Sequence, residues 1–334
     1  MTENMLFLDI IGLVILVLLV IVAAGIVITR NLFTAVMLLG IFSLLIAASF
    51  FLLDAADVAL TEAAVGAGVS TVLMLGTLAL TTDRETGKGA ARPLAGVVIV
   101  LTALILLYAT LDKPSLGDPQ APVHGHVSEK YLNESMDEIG VPNFVTAILA
   151  SYRGIDTLGE VAVVFTAATG VALLLGGPRR KPRDEQGKKT EDRKTISHHM
   201  VPRVVSKLLI PFIMLFALYV QFHGDYGPGG GFQAGAIFAS AVMLYAIVNG
   251  DDLAQTVLSA RAMGILMSAG LLLYAGVGFA SLLLGGNFLD YSVLAATPLA
   301  GQHLGILLIE AGVGMTVTAA LVTIFYGFSA RGSR

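Results

Sequence analysis

The stretch LFLDIIGLVILVLLVIVAAGIVIT, residues 6–29, carries a single charged side chain, that of Asp9, in an otherwise apolar run. An α-helix needs about 20 apolar residues to cross the hydrocarbon core of a bilayer, so this run is long enough to span it. It is too long for the apolar region of a signal peptide, and Glu3 and Asp9 stand where such a peptide is basic. We therefore predict a permanent membrane helix here.

Eight further apolar segments follow, and none alternates between polar and apolar residues as a half-buried strand does. They cover residues 32–53, 58–80, 94–111, 157–176, 204–222, 231–249, 262–284 and 303–326. In lipid, a continuous apolar run satisfies its backbone hydrogen bonds as a helix. Of the 334 residues, 56% are hydrophobic and 13% are charged, which is about half the charge of a soluble domain. The sequence predicts an all-α membrane protein with about nine transmembrane helices and excludes a water-soluble enzyme.

The basic residues predict how these helices are oriented. If nine spans alternate in direction, all but three of the 20 Lys and Arg residues fall on one side, the three being Lys113, Lys130 and Arg153. Cytoplasmic loops carry the excess of basic residues, so the N-terminus is predicted outside and the C-terminus in the cytoplasm. Residues 178–203 are polar and strongly basic, and we predict a cytoplasmic linker. Residues 112–156 then form a long extracytoplasmic loop, in which 143–152 are predicted as a re-entrant or interfacial helix.

Ionisable residues within the spans are the first candidates for function, because inserting each one costs about 2.5–3.5 kcal/mol. Glu62, Glu160 and Glu310 lie in three spans that run in the same direction, and we expect them at similar depth. Such carboxyl groups can exchange protons or bind Na⁺ through their oxygens. For Glu62 and Glu160 a structural alternative stays open, because the positive end of a helix dipole favours a carboxylate in its first turns.

Other polar residues lie near this level of the membrane. Asp57 and Asp156 lie just above the span glutamates, and FHGDYGPGGGFQAG, residues 222–235, breaks the chain between two spans. Its His223 and Asp225 are a candidate proton relay, although a purely structural turn is the alternative. Lys207 either joins an internal proton path or extends to the cytoplasm. The candidate translocation residues are therefore Glu62, Glu160, Asp57, Asp156, His223, Asp225, Glu310 and Lys207.

The residue types argue against a resident cofactor. The chain has no Cys, so it cannot hold an iron–sulfur cluster by thiolates. The His pairs at residues 124 and 126 and at 198 and 199 lack a third ligand at metal spacing. We expect no cofactor and no stable metal site, with Na⁺ at Glu62 or Glu160 only in transit. The expected surroundings are a lipid bilayer and other membrane subunits, without nucleic acid.

Three motifs resemble one family of ion transporters. DAADVALTEAAVGAGVST, residues 54–71, is similar to a segment of the small three-helix subunit of membrane-bound hydrogenases. It is also similar to the carboxy-terminal part of the large A-type component of Mrp-type Na⁺/H⁺ antiporters. NFVTAILASYRGIDTLGEVAVVFTAA, residues 143–168, resembles the two-helix unit that follows it there. FHGDYGPGGGFQAG resembles the hallmark of the B-type component of these antiporters, except that Asp225 stands where relatives often have a second His.

The resemblance implies a fusion of the tail of the A-type component with a B-like module. Its parts would be a three-helix module (1–92), a two-helix module (93–177), the linker (178–203) and a four-helix module (204–334). It implies a membrane subunit of a multi-subunit Na⁺/H⁺ antiporter in the cell membrane, without catalytic activity of its own. Glu62 and Glu160 match family glutamates implicated in translocation. Two alternatives stay open: an ion-translocating subunit of a membrane-bound hydrogenase or complex I-like oxidoreductase, and a structural scaffold.

Overall fold

The computed structural model describes residues 2–78, 81, 84–85, 93–115, 117–175 and 200–331, without the side chains of residues 2–7, 202 and 331. In these ranges the chain is helical apart from loops and an isolated β-bridge between Asn31 and Arg84. Two of the predicted module boundaries fall at residues that the structure does not describe. Most of the predicted linker also lies outside the described residues, and the helix after it already begins at Met200.

Apart from two short 3₁₀ helices at Pro122–Gly125 and Tyr291–Val293, thirteen helices occupy the described residues, and nine of them are long and apolar enough to cross a membrane. The prediction of an all-α membrane protein with about nine spans is confirmed, whereas the orientation of the termini stays a prediction. The spans are α1, α2, α3, α4, α8, α9, α10, α12 and α13. In chain order the helices are α1 (Thr2–Ile28), α2 (Leu32–Leu52), α3 (Ala56–Leu78), α4 (Pro93–Thr110), α5 (Ser128–Asn133), α6 (Ser135–Ile139), α7 (144–152), α8 (Gly154–Leu175), α9 (Met200–His223), α10 (Gly231–Asn249), α11 (Asp251–Val257), α12 (Ala260–Leu283) and α13 (Pro298–Arg331).

Local sequence explains where several helices begin and end. Asn31 caps α2, because its Oδ1 accepts a hydrogen bond of 3.0 Å from the backbone N–H of Thr34. Ser259 caps α12 in the same way through the N–H of Ala262. Gly250 ends α10 with a φ of 93°, a conformation that favours glycine. The predicted re-entrant or interfacial segment is indeed helical and forms α7.

The long helix α13 is the centre of the packing, and α8, α10 and α12 lie against it. Small residues allow close approach, since a Cβ atom at Gly312 would lie 2.7 Å from the carbonyl oxygen of Gly270 in α12. The core contains fully buried aromatic residues such as Tyr274 and Tyr291. In contrast, α4 has no buried residue among those described. The molecule therefore has an inner group of four packed helices and outer helices with largely exposed apolar faces.

Two helices widen locally to π-helical geometry, at Glu62–Val69 in α3 and at Ala147–Tyr152 in α7. Such segments are rare and occur frequently at functional sites. The last span also differs from its predicted bounds, because α13 begins at Pro298 and continues past 326. Gln302 and His303 interrupt the apolar pattern but not the helix. Glu310 consequently lies more than three turns inside α13 instead of one or two turns below its end.

Candidate functional site

A cavity of about 290 Å³ lies where segments from the three predicted modules meet. The first module contributes Asp57 and Thr61 of α3. The second contributes Thr146 of α7 together with Glu160 of α8, and the third contributes residues of α10, α13 and the turn between α9 and α10. The lining residues are Asp57, Val58, Thr61, Val145, Thr146, Leu149, Ala150, Thr157, Glu160, Gly229, Gly230, Gly231, Phe232, Gln233, Ile309, Glu310 and Val313. Three carboxyl groups thus face one cavity within a largely apolar wall.

The turn between α9 and α10, residues 224–230, is here called the glycine-rich loop. Gly230 has a φ of 115°, which side chains other than that of glycine rarely allow, and its N–H donates to the carbonyl of Val220 at 3.0 Å. A Cβ atom at Gly229 would lie 3.0 Å from the backbone nitrogen of Gly224, so the loop folds tightly on itself. The loop therefore needs glycine for its backbone conformation and for its compactness.

This loop wraps around the carboxyl group of Glu310. A Cβ atom at Gly230 would lie 3.0 Å from Oε1 of Glu310, and one at Gly224 would lie 3.1 Å from Oε2. Among the described residues, Glu310 has no ion-pair partner, since the ion pairs there involve other acids. A carboxyl group so enclosed is costly as an isolated anion. It is suited to hold a proton or to pair with a cation that enters the cavity.

A polar network fastens the glycine-rich loop to α7. The side-chain amide of Asn143 donates to the carbonyl oxygens of Gly224 and Gly227 and to Oδ1 of Asp57, at 3.1, 3.0 and 3.1 Å. The hydroxyl of Thr146 donates to the same carbonyl of Gly224 at 2.7 Å. The backbone N–H of Asn143 donates to the carbonyl oxygen of Asp225 at 3.0 Å. These bonds hold the cavity wall together across all three modules.

Comparison with known proteins gives the family. A family model described as a domain related to the MnhB subunit of Na⁺/H⁺ antiporters matches residues 201–323. A Staphylococcus aureus (strain Newman) protein named as antiporter subunit mnhB2 is 32% identical over 135 residues, which are 39% of this chain and 94% of that protein. The chain belongs to this family of antiporter subunits.

The amino-terminal part of this antiporter-family chain also has relatives. Models for MbhD and MbhE, described as two subunits of MBH, match residues 17–83 and 96–194. A Rhizobium meliloti (strain 1021) protein, named as the A/B component of a K⁺/H⁺ antiporter, is 26% identical over 87% of this chain, but this chain covers only 31% of its length. A chain in the structure of the Mrp complex from Dietzia sp. DQ12-45-1b has the same fold, with a TM-score of 0.75 and 24% identity over 95% of this chain and 34% of that one. The Mrp-type resemblance of the three motifs, as a fusion of A and B parts, is confirmed.

The structure of this antiporter-family chain brings Asp57, Glu160 and Glu310 together, but not Glu62. The carboxylate of Glu62 instead lies against Gly66 in its own helix, close to the hydroxyl of Ser43 in α2. Asp57 and Glu62 are five residues apart, about 140° around a helix of 3.6 residues per turn. Residues so spaced face different directions, which explains why Asp57 lines this cavity and Glu62 does not.

The other predicted residues lie outside the cavity lining. Asp156 pairs with Arg153 at 2.5 Å, and both side chains are about half exposed. His223 stacks on Tyr219 with 4.8 Å between ring centroids, and Lys207 is exposed on α9. The carboxylate of Asp225 does not pair with His223 in the described contacts but lies 3.5 Å from Nδ1 of His303.

Sequence reasoning missed three polar residues of this region. Asn143 and Gln233 lack charge, so a search for ionisable groups passes over them, although Gln233 is buried and lines the cavity. Asn143 could have been noticed as the first residue of the motif at 143–168. His303 precedes Glu310 by seven residues, which is about two helical turns, and so lies on the same face of α13. This spacing was the available signal for His303.

Proposed function

We propose that this chain is a membrane subunit of a multi-subunit, Mrp-type cation/proton antiporter in the cell membrane. We further propose that Glu310, Glu160 and Asp57 line its ion pathway. The observation that carries the proposal is the cavity at which the three carboxyl groups converge, in a chain that belongs to the antiporter family. The partners proposed are the other membrane subunits of the complex, and the chain itself catalyses no chemical reaction.

The lining of the cavity supports a transport mechanism in which a cation and a proton compete for the same carboxylate groups. A carboxylate that binds a metal cation must first release its proton, so one site serves the two ions alternately. Glu310 and Asp57 supply carboxylate oxygens, and Gln233 and Thr61 supply neutral oxygens of the kind that hard cations bind. Since a water molecule occupies about 30 Å³ in the liquid, a cavity of about 290 Å³ has room for a cation and several waters. Na⁺ is the cation proposed, with K⁺ as the other candidate.

We rank the candidate residues by their surroundings. Glu310 comes first because the glycine-rich loop encloses its carboxyl group and no ion-pair partner is present among the described residues. Glu160 lines the same cavity but is more exposed, which suits a residue near an entrance. Glu62, at which the π-helical segment begins, stays a predicted translocation residue outside this cavity. Asp156 is the weakest acidic candidate, since Arg153 already neutralises it.

The decisive experiment replaces Glu310 by Gln in the complete complex and measures cation-driven proton movement in inverted membrane vesicles. We expect transport to be abolished while the complex assembles, because the amide neither takes up and releases a proton nor supplies the negative charge that balances a cation. The matched control is Glu129→Gln in α5, an exposed glutamate of the long loop. Full transport by an assembled Glu310→Gln complex would contradict the proposal.

The matches to MbhD and MbhE favour a second candidate function. In that case the chain would be an ion-translocating subunit of a membrane-bound hydrogenase or a complex I-like oxidoreductase. Mass spectrometry of the complex after mild detergent extraction separates the two. Partner subunits with iron–sulfur or nickel–iron centres would support the redox complex, and antiporter subunits without such centres would support the antiporter.

A further inference from the structure

The side chain of Asn143 joins three parts of the chain that are distant in sequence. Its Nδ2 has two protons but lies within hydrogen-bonding distance of three oxygens: Oδ1 of Asp57 and the carbonyls of Gly224 and Gly227. The three acceptors therefore compete for two N–H groups. Its own Oδ1 is already used as the cap of α7, since it accepts from the N–H of Val145 at 3.0 Å.

One end of this network lines the cavity, and the other end lies against a residue that lines it. Asp57 lines it directly, and its carboxylate is the only charged acceptor of the three. Gly224, which supplies one of the carbonyls, also lies against the carboxyl group of Glu310. Asn143 is buried, so water does not compete freely for its amide. The same amide group therefore connects Asp57 with the loop that encloses Glu310.

We propose that Asn143 is a positioning residue that couples the occupancy of Asp57 to the position of the glycine-rich loop around Glu310. The inference rests on the proposed ion pathway. When Asp57 is a free carboxylate, it attracts one amide proton strongly, because hydrogen bonds to ionised acceptors are about twice as strong as neutral ones. When Asp57 takes a proton or a cation, that attraction weakens and the amide turns to the carbonyls of Gly224 and Gly227.

Thr146 supplies the second hold on this loop. Its hydroxyl donates to the carbonyl of Gly224 independently of Asp57. The loop therefore stays docked on α7 while its contact with Asn143 strengthens or weakens. The loop can therefore shift when Asp57 binds a proton or a cation, and it does not have to unfold. Because Gly224 lies against the carboxyl group of Glu310, such a shift changes the surroundings of Glu310.

The substitution Asn143→Asp tests the coupling. Aspartate caps a helix as well as asparagine does, so the bond to Val145 is retained, but the N–H groups are replaced by an acceptor. In the complete complex we expect the cation concentration for half-maximal antiport to fall about tenfold, because the cation no longer has to displace a hydrogen bond from the Asp57 carboxylate. We also expect a shift of the pH profile of antiport and faster amide exchange in residues 224–230.

Asn31→Asp is the matched control, because Asn31 caps α2 through the same kind of bond, away from the cavity. This variant should leave the cation concentration for half-maximal antiport and the pH profile of antiport unchanged. Thr146→Val keeps the shape of the side chain and removes its hydrogen bond to the loop. We expect it to change the cation concentration for half-maximal antiport in the same direction. If the Asn143→Asp complex does not assemble, the result for Thr146→Val decides whether the inference holds. Unchanged half-saturation and pH profile in the assembled variant would overturn the inference. If Glu310→Gln abolishes antiport in that case, the proposed function stands; if Glu310→Gln is active, the proposed function itself has failed.

Discussion

The contact between α10 and α13 beside the cavity makes a strong prediction for Gly231→Ala. A Cβ atom at Gly231 would lie 2.8 Å from Cβ of Val313 and 2.9 Å from the backbone nitrogen of Gly314, and it would lie closer still to the carbonyl oxygen of Glu310. Ordinary van der Waals contact begins at 3.4 Å. Two of the three neighbours are backbone atoms, which cannot rotate away as a side chain can.

The two helices must therefore separate, and the distances give the scale. Relief of the contacts with Val313 and Gly314 alone requires a shift of about half an ångström, and relief at the Glu310 carbonyl requires more. Overpacking of a close-packed interface costs about 1–3 kcal/mol. We therefore expect Gly231→Ala to lower the free energy of unfolding by at least the middle of that range. Because the strained backbone includes Glu310, antiport should fall as well.

The assay is equilibrium unfolding of the full chain in mixed detergent micelles, with Gly276→Ala as the matched control. Gly276 lies on the exposed face of α12, and a Cβ atom there has nothing within 4 Å. In a helix interior, alanine is more favourable than glycine by about 0.5–1 kcal/mol, so this variant should be neutral or stabilised. Equal unfolding midpoints for the two variants would refute the argument that α10 and α13 are held at backbone contact beside Glu310.

Two further predictions concern tyrosines outside the membrane spans. The hydroxyl of Tyr152 donates to the carboxylate of Glu138 and lowers the pKa of that acid. Tyr152→Phe should therefore reduce thermal stability at neutral pH, and the difference from the parent chain should vanish as the pH falls through the pKa of folded Glu138; a pH series of thermal unfolding checks this. The buried hydroxyl of Tyr291 donates to the carbonyl of Ala150 in α7 at 2.9 Å, so Tyr291→Phe should cost about 1–3 kcal/mol in detergent unfolding. Tyr226 is 69% exposed, so Tyr226→Phe is the control and should leave the free energy of unfolding unchanged.

The membrane architecture could be predicted from the sequence because it depends on one local property. Each span is a continuous apolar run, and lipid forces such a run to be helical whatever its neighbours are. The errors lie at helix ends, because hydropathy does not determine where a helix stops once it leaves the apolar run. Gln302 and His303 continue α13 although they are polar, since helical backbone bonds there do not depend on hydropathy.

The candidate site could be predicted only in part, because it depends on helix neighbours and on rotation about each helix axis. Burial cost singled out Glu160 and Glu310, and both line the cavity. The same argument singled out Glu62, whose carboxylate lies against Gly66 of its own helix instead. Helical spacing already separates Glu62 from Asp57 by about 140°. No property of a single sequence, however, indicates whether the face of α3 with Asp57 or the face with Glu62 packs toward α8 and α13.

The position of the cavity gives a physical reason for joining these segments in one chain. Its carboxyl groups come from α3, α8 and α13, which belong to three separately matched regions, and Asn143 binds acceptors in the first and third of them. None of the regions alone can surround the site, so a separated chain must bring its parts together by association. Covalent connection makes that step intramolecular, which raises the effective concentration of each part around the others. The polar network at Asn143 then needs to supply the geometry of the site and not the affinity between its parts.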